Sequence, residues 1–280
     1  MTISADFVGV DADFLGWKLS EDDTEFVSYS LDYTFIFTEE SPTTYYAIFT
    51  EPNEYLTYNY DTSATGEAEV DDCTTEGGDL VIPSTIYRAD ISPYKFSVTS
   101  IGGSAFSGCR RLTSLTIPEG VTSIGDRVFS SSSNLTSIVI PSSVISLGMK
   151  VCGNSSIRSV TFGDNSQLTS IGDDVFNSSS LESITIPEGV TSIGNNAFSK
   201  CSSLTSITIP DSVTSIEAYA FRGCSSLTNI KINATKPPTL GSSAIPSNVT
   251  KIYVPAASVI TYQSASGWSS YANIISAIVE

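Results

Sequence analysis

"IPEGVTSIG" spans residues 117–125 and returns letter for letter at 186–194. The copies start 69 residues apart, three times 23, which predicts a unit of about 23 residues running between them with its middle copies drifted. Aligning on the motif IG..AF finds that unit at Ile101, Ile124, Leu147, Ile171, Ile193 and Ile216, with gaps of 23, 23, 24, 22 and 23 residues. Five residues after each anchor stands Phe106, Phe129, Cys152, Phe176, Phe198 or Phe221, so the aromatic slot is kept in five copies of six. Leu112, Leu135, Leu204 and Leu227 each stand eleven residues after their own anchor. The full unit reads L-x-x-I-x-I-P-x-x-V-x-x-I-G-x-x-A-F-x-x-C.

Such regular spacing is the signature of a solenoid, whose units cannot bury an apolar face alone but bury it against their neighbours. In "LTSITIP" (204–210) the β-branched residues largely alternate, which predicts a short strand; the proline ends it because it has no N–H to donate. "VTSIG" (190–194) predicts a second, shorter strand, with glycine permitting a tight turn. "NNAFSKCSSL" (195–204) is too short for a free-standing helix and reads as one helical turn and a return loop. Stacked at the strand spacing of roughly 4.8 Å, six coils make a rod only about 24 Å long, whose apolar ends require caps of different sequence.

The unit, as in "LTSITIPDSVTSIEAYAFRGCSSL" (204–227), resembles the BspA-like class of leucine-rich repeats found in surface proteins of bacteria and some protists. The resemblance covers about residues 79–232. "DLVIPSTI" (79–86) with "FSVTSIGGSAFSGC" (96–109) resembles the family's first repeat, and "IYVPAASVITYQSASGWSSYANIISAI" (252–278) its closing segment. Two departures predict a locally irregular coil: Cys152 stands in the Phe slot, and "VTFGDNSQLTSIG" (160–172) lacks the proline. The resemblance implies a leucine-rich repeat solenoid used for adhesion or recognition rather than catalysis.

Residues 1–75 hold no copy of the unit, yet 14 of the 28 aromatic residues fall before residue 62. In "FVSYSLDYTFIF" (26–37) apolar and polar residues alternate, which predicts a half-buried strand. "TTYYAIFTE" (43–51), "EYLTYNY" (54–60) and "EAEVDDC" (67–73) read the same way, with "EESP" and "EPN" as turns, so a small antiparallel sheet is expected, its last hairpin covering the first coil. The fold class is therefore a β-rich repeat solenoid, about 23 residues per coil and six coils, with an N-terminal antiparallel all-β module. The expected division is an acidic module and cap over 1–78, the solenoid over 79–232 and a C-terminal cap over 233–280.

Charge separates the same parts. Of a net −17, residues 1–80 hold 19 acids against the single base Lys18, whereas the remaining 200 residues hold 11 acids and 12 bases. An acidic block repels nucleic acid and anionic lipid, so neither nucleic-acid binding nor membrane insertion is expected. No run of 18 apolar residues occurs, and "MTISADFVGVDADF" (1–14) lacks the basic end and apolar stretch of a secretory leader. The expected location is the cell surface or outside the cell if a leader has been removed, and otherwise a virion, whose appendages are freed by lysis.

The chain has no histidine, which rules out Ser-His-Asp and Cys-His catalysis and any zinc site needing imidazole. A carboxylate-dependent carbohydrate-active enzyme stays open in principle, but Glu119 and Glu188 follow prolines in turns where acids are ordinary surface. Cys109, Cys201 and Cys224 each follow Phe by three residues and should form one buried column rather than a redox site. "DADFLG" (11–16) and "SEDDTE" (20–25) have Asp11, Asp13 and Gly16 placed as in a calcium loop, but Leu15 fills a slot needing oxygen and Asp22 one needing a bidentate Glu, so a solvated acidic loop is expected and no metal. Sequons begin at Asn134, Asn154, Asn177, Asn233 and Asn248 and matter only on a glycosylating route.

Slots that vary while the apolar ones hold mark exposed positions. Three residues after the anchors stand Ser104, Arg127, Lys150, Asp174, Asn196 and Tyr219, which stacking should gather into one column of mixed polar chemistry. Arg127, Lys150, Asp174, Asn196 and Tyr219 are the candidate binding residues; neutral drift on a solvated edge is the competing explanation. The expected function is non-enzymatic recognition or adhesion, with a protein or glycan on a host or partner surface as ligand and no cofactor. A phage tail or head fibre and a purely structural spacer are the alternatives.

Overall fold

The alternating stretch of each unit forms a strand with its apolar side chains turned inward. Ser137–Ile140 lies parallel to Ser159–Phe162, with Ser137 opposite Ser159 and Ile140 opposite Phe162, and Ser206–Ile209 lies parallel to Asn229–Ile232. Ile138, Ile140, Ile207 and Ile209 are buried while Ser137, Val139, Ser206 and Thr208 are exposed. The second stretch forms two-residue strands that also stack in register: Ser123–Ile124 pairs with Ser146–Leu147, and Ser192–Ile193 with Ser215–Ile216. The computed structural model describes residues 13–18, 26–28, 46–50, 56–60, 67–73, 78–87 and 95–279.

The third side of each coil is a turn segment held by backbone bonds to the next coil. Phe106 N–H donates to the Val128 carbonyl, Phe129 to Val151, Cys152 to Val175, Phe176 to Ala197 and Phe198 to Ala220, all at 2.8–3.1 Å. These bonds place the aromatic slots above one another. Phe176, Phe198 and Phe221 stack with ring centroids 5.2 and 5.3 Å apart, and Phe106 and Phe129 at 6.0 Å. Cys152, fully buried, interrupts the file between the two groups.

The irregular coil expected at 147–172 is present. Ser146–Leu147 and Ser170–Ile171 do not pair, so the two-residue strands divide there into two sheets. The glycine that follows five of the six anchors has a different role from the one its sequence suggested. The turn residues proper, three and seven after the anchor, adopt positive φ, as at Lys150 (58°) and Asn154 (53°), whereas Gly125, Gly148 and Gly194 do not. What these glycines provide is close approach: a Cβ on Gly148 would stand 2.5 Å from the Gly125 carbonyl carbon and 2.6 Å from the Asp126 nitrogen. At Gly172, beside the unpaired junction, the nearest atom would be Leu147 O at 3.6 Å. Gly148→Ala should therefore cost about 1–3 kcal/mol by overpacking and Gly172→Ala far less, a difference read directly from paired denaturant midpoints.

The stack continues beyond the six units. Thr239–Leu240 adds to Ser215–Ile216, Lys251–Val254 to Asn229–Ile232 and Ile275–Ala277 to Lys251–Val254, making about eight turns. Beneath the last turns Trp268 is fully buried, donates from Nε1 to the Pro238 carbonyl at 2.7 Å and meets Tyr262 edge-on at 5.1 Å. Tyr262 in turn donates to the Ala234 carbonyl at 2.9 Å.

At the other end Leu56–Tyr60 and Glu67–Cys73 form the expected hairpin over the first coil. Glu67–Cys73 pairs parallel with Lys95–Ile101, placing Val70 opposite Ile101, and Gly102 N–H donates to the Val70 carbonyl at 2.7 Å. Asp13–Lys18, Phe26–Ser28 and Tyr46–Thr50 form a separate antiparallel sheet. The acidic loop expected at 11–16 is thereby corrected: Asp13 to Gly16 belong to a strand that pairs with Tyr46–Thr50. Residues 29–37, the turns "EESP" and "EPN", and Asp11 and Asp22 lie outside the described residues.

Candidate recognition surface

Ser104, Arg127, Lys150, Asp174, Asn196 and Tyr219 all adopt left-handed backbone, with φ between 53° and 67°. The conformation is held from coil to coil, because the N–H of Arg127 donates to Met149 O, that of Asp174 to Asn195 O, that of Asn196 to Ala218 O and that of Tyr219 to Ser242 O at 2.9–3.1 Å. No such bond leaves Lys150, at the unpaired junction. The six residues thus form one file along the solenoid. Arg127 and Tyr219 are exposed, and Lys150, Asp174 and Asn196 are half-buried. Asp174 accepts from the Asn177 amide at 2.7 Å, and the Arg222 guanidinium lies 5.3 Å from the Tyr219 ring centre. The backbone here accepts many side chains provided they leave the surface outward, which explains why this slot varies while the apolar slots do not.

The cysteine column is more extensive than the cysteines show. Eight residues after successive anchors stand Cys109, Ser132, Ser155, Ser179, Cys201 and Cys224, all buried. Three of them satisfy a carbonyl of the preceding coil: Cys201 donates to Phe176 O at 3.1 Å, Cys224 to Phe198 O at 3.0 Å and Ser132 to Phe106 O at 2.7 Å, while Cys109 donates to Cys73 O and Ser155 to Cys152 O of its own coil. The slot therefore selects a small donor, and Ser replaces Cys freely. The common offset from the anchors was visible in the sequence; the carbonyl was not. The hydrogen bond with Cys201, reinforced by burial, pushes the Cys224 thiol well above the ordinary thiol range, and burial does the same at Cys152. With all five cysteines buried and none in a disulfide, iodoacetamide at pH 8 should label none in the native protein and five after unfolding, as read by mass.

The two copies of "IPEGVTSIG" have parted in role. Glu119 accepts the N–H of Ser142 at 3.0 Å and the N–H of Ser143 at 3.1 Å, so it caps a turn of the next coil. Those bonds, that to Ser142 foremost, hold its carboxyl below the ordinary 4.5. Its contribution is complete above that ordinary value and is lost as pH falls through the lower folded-state value. At the offsets where Glu119 meets Ser142 and Ser143, Glu188 has Asp211 and Ser212 in sequence, and no hydrogen bond among the described residues reaches it. It lines a recess of about 510 Å³ with Phe162, Asp164, Asn165 and Thr185. Among the sequons, Asn248 donates to the carbonyls of Cys224 and Leu227 and Asn134 to that of Arg110, so both amides already serve the coil.

Among the described residues no group of three or more His, Cys, Asp or Glu could hold a metal, and no helix is long and apolar enough to cross a membrane.

A family model for the BspA type leucine rich repeat region matches in six copies, over residues 90–176 and 169–274. A leucine-rich repeat protein of T. pallidum superposes with a TM-score of 0.58 at 24% identity, over 70% of this chain and 90% of that one. A leucine rich cell surface protein of Faecalibacterium prausnitzii A2-165 superposes with a TM-score of 0.57 at 29% identity, over 72% of this chain and 54% of that one, so the likeness spans about half of its length. No curated protein matches.

Proposed function

This chain belongs to the BspA-type leucine-rich repeat family, and from that premise we propose that its solenoid is a non-catalytic recognition surface used at a cell exterior to bind a protein or glycan of a partner. Family and fold are those of repeat proteins that generally bind rather than catalyse. The observation that carries the proposal is the file from Ser104 to Tyr219: a cation at Arg127 and Lys150, an anion at Asp174, an amide at Asn196 and an aromatic ring at Tyr219 stand one coil apart in the same left-handed backbone conformation, held at every one of these positions but Lys150 by a bond to the next coil. Such a file presents a chemically distinct pattern at little entropic cost, because the residues beneath it are already ordered. The F. prausnitzii protein being a cell surface protein supports an exterior location for this one.

The test is a binding screen of the full chain against arrays of host-surface proteins and glycans. Binding is expected to at least one probe, and Arg127→Ala combined with Lys150→Ala and Tyr219→Ala should weaken it about tenfold or more. A chain that binds nothing on either array, or a triple variant that binds as well as the parent, would overturn the assignment to this file.

A further inference from the structure

We propose that the recess between the coils of Ser159–Phe162 and Ser183–Ile184 is a second binding site, a subsite for a neutral, hydroxyl-rich ligand of the carbohydrate class. It goes beyond the recognition surface above and shares no residue with the Arg127 to Tyr219 file.

The recess arises from a local break in the repeat. Elsewhere the matching position holds Ile117, Ile140, Ile186, Ile209 or Ile232, every one buried, and where a proline follows it, as in the first four, the next buried apolar residue comes three residues after that proline. Here the strand ends on Phe162, which is only half-buried, and Gly163 is followed by Leu168 five residues on, so the turn carries two extra residues. Glycine is required at 163 because a Cβ would meet the Ser142 nitrogen at 2.8 Å. The longer turn, with Asn165 at φ 57°, borders a recess of about 510 Å³ whose other side is Thr185, Pro187 and Glu188 of the next coil, within the ~300–1,000 Å³ range of small-ligand sites.

Its lining matches a sugar ring. Phe162, half-buried against the core, lines the recess with aromatic surface for C–H groups, and Asp164, Asn165, Thr185 and Glu188 line it beside Phe162. None of these four side chains makes a hydrogen bond within the described chain, so their capacity is free for a ligand. Carboxylates accept from hydroxyl donors, whereas no Lys or Arg lines the recess to receive an anionic group. Neutral oligosaccharides should therefore be preferred over sialylated or sulfated ones.

The full chain is applied to an array of neutral, sialylated and sulfated oligosaccharides, and the strongest neutral probe is then titrated while amide ¹H–¹⁵N shifts are followed. Neutral probes are expected to bind and to move the Gly163 and Asn165 resonances. Phe162→Ile, which installs the residue five other coils use, should keep the melting midpoint and weaken binding about tenfold. The exposed pair Asp164→Ala with Glu188→Ala should do the same, and provides the readout if the first variant folds poorly. Neutral probes that do not bind, or that bind both variants as tightly as the parent, sink the subsite. Glycan binding lost in the Arg127, Lys150 and Tyr219 variant but intact in these two would leave the recognition surface standing and remove the recess from it.

Discussion

Phe198→Ala should lower the stability of the solenoid by about 3–5 kcal/mol, the range for removing a fully buried aromatic ring. Phe198 has no exposed surface and lies between two parallel neighbours, Phe176 at 5.2 Å and Phe221 at 5.3 Å, so one truncation breaks two stacked contacts. The cavity has little means of collapsing, because the flanking backbone is fixed by the bonds from Phe176 to Ala197 and from Phe198 to Ala220. A natural precedent for a smaller side chain exists at Cys152, and the sheet of two-residue strands breaks next to it. In a solenoid each coil depends on its neighbours, so the loss should also reduce cooperativity, visible as a shallower denaturant transition by circular dichroism. An unchanged midpoint would show that this ring is not part of the core.

Trp268→Ala carries the second large effect, about 3–5 kcal/mol on the same scale. Trp268 closes the end of the stack through its hydrogen bond to Pro238 O and its edge contact with Tyr262, whose hydroxyl is itself bound to Ala234 O. Truncation leaves the Pro238 carbonyl without its donor and uncovers the turn bearing Lys251–Val254, so residues near the C-terminus should become protease-sensitive before the central coils do. Trp268→Phe separates the two contributions: it keeps a ring and loses only the donor, at a cost of about 1 kcal/mol. If limited proteolysis cut the central coils first, Trp268 would not be the element that caps this end.

Much of this was legible from spacing. The period of the anchors, the alternation in "LTSITIP" and the recurrence of Phe required a stacked β-coil, since no single unit can bury its own apolar face. The turn at Leu240 escaped that count because Pro237 stands where the Val three residues before the anchor is expected, in addition to Leu240 for Ile and Ile245 for Phe, whereas the unit at Leu147 keeps Val144. In the N-terminal part, alternation located Glu67–Cys73, but the strand Asp13–Lys18 was hidden by Asp13 and the acidic residues of the flanking sequence, which suggest a loop in isolation; it is a strand through pairing with Tyr46–Thr50.

By itself the sequence determined the repeat, its register and the file in which Arg127, Lys150, Asp174, Asn196 and Tyr219 stand, because equal spacing in a stacked coil must place equal offsets above one another. Only the tertiary structure decided how those positions are used. The glycines serve close backbone approach, the cysteines and their serine counterparts satisfy carbonyls, and two identical nonapeptides differ because Glu119 meets the Ser142 and Ser143 amides while Glu188 opens into a recess. Each of these depends on what the adjacent coil presents across roughly 4.8 Å, a contact that a linear motif does not contain.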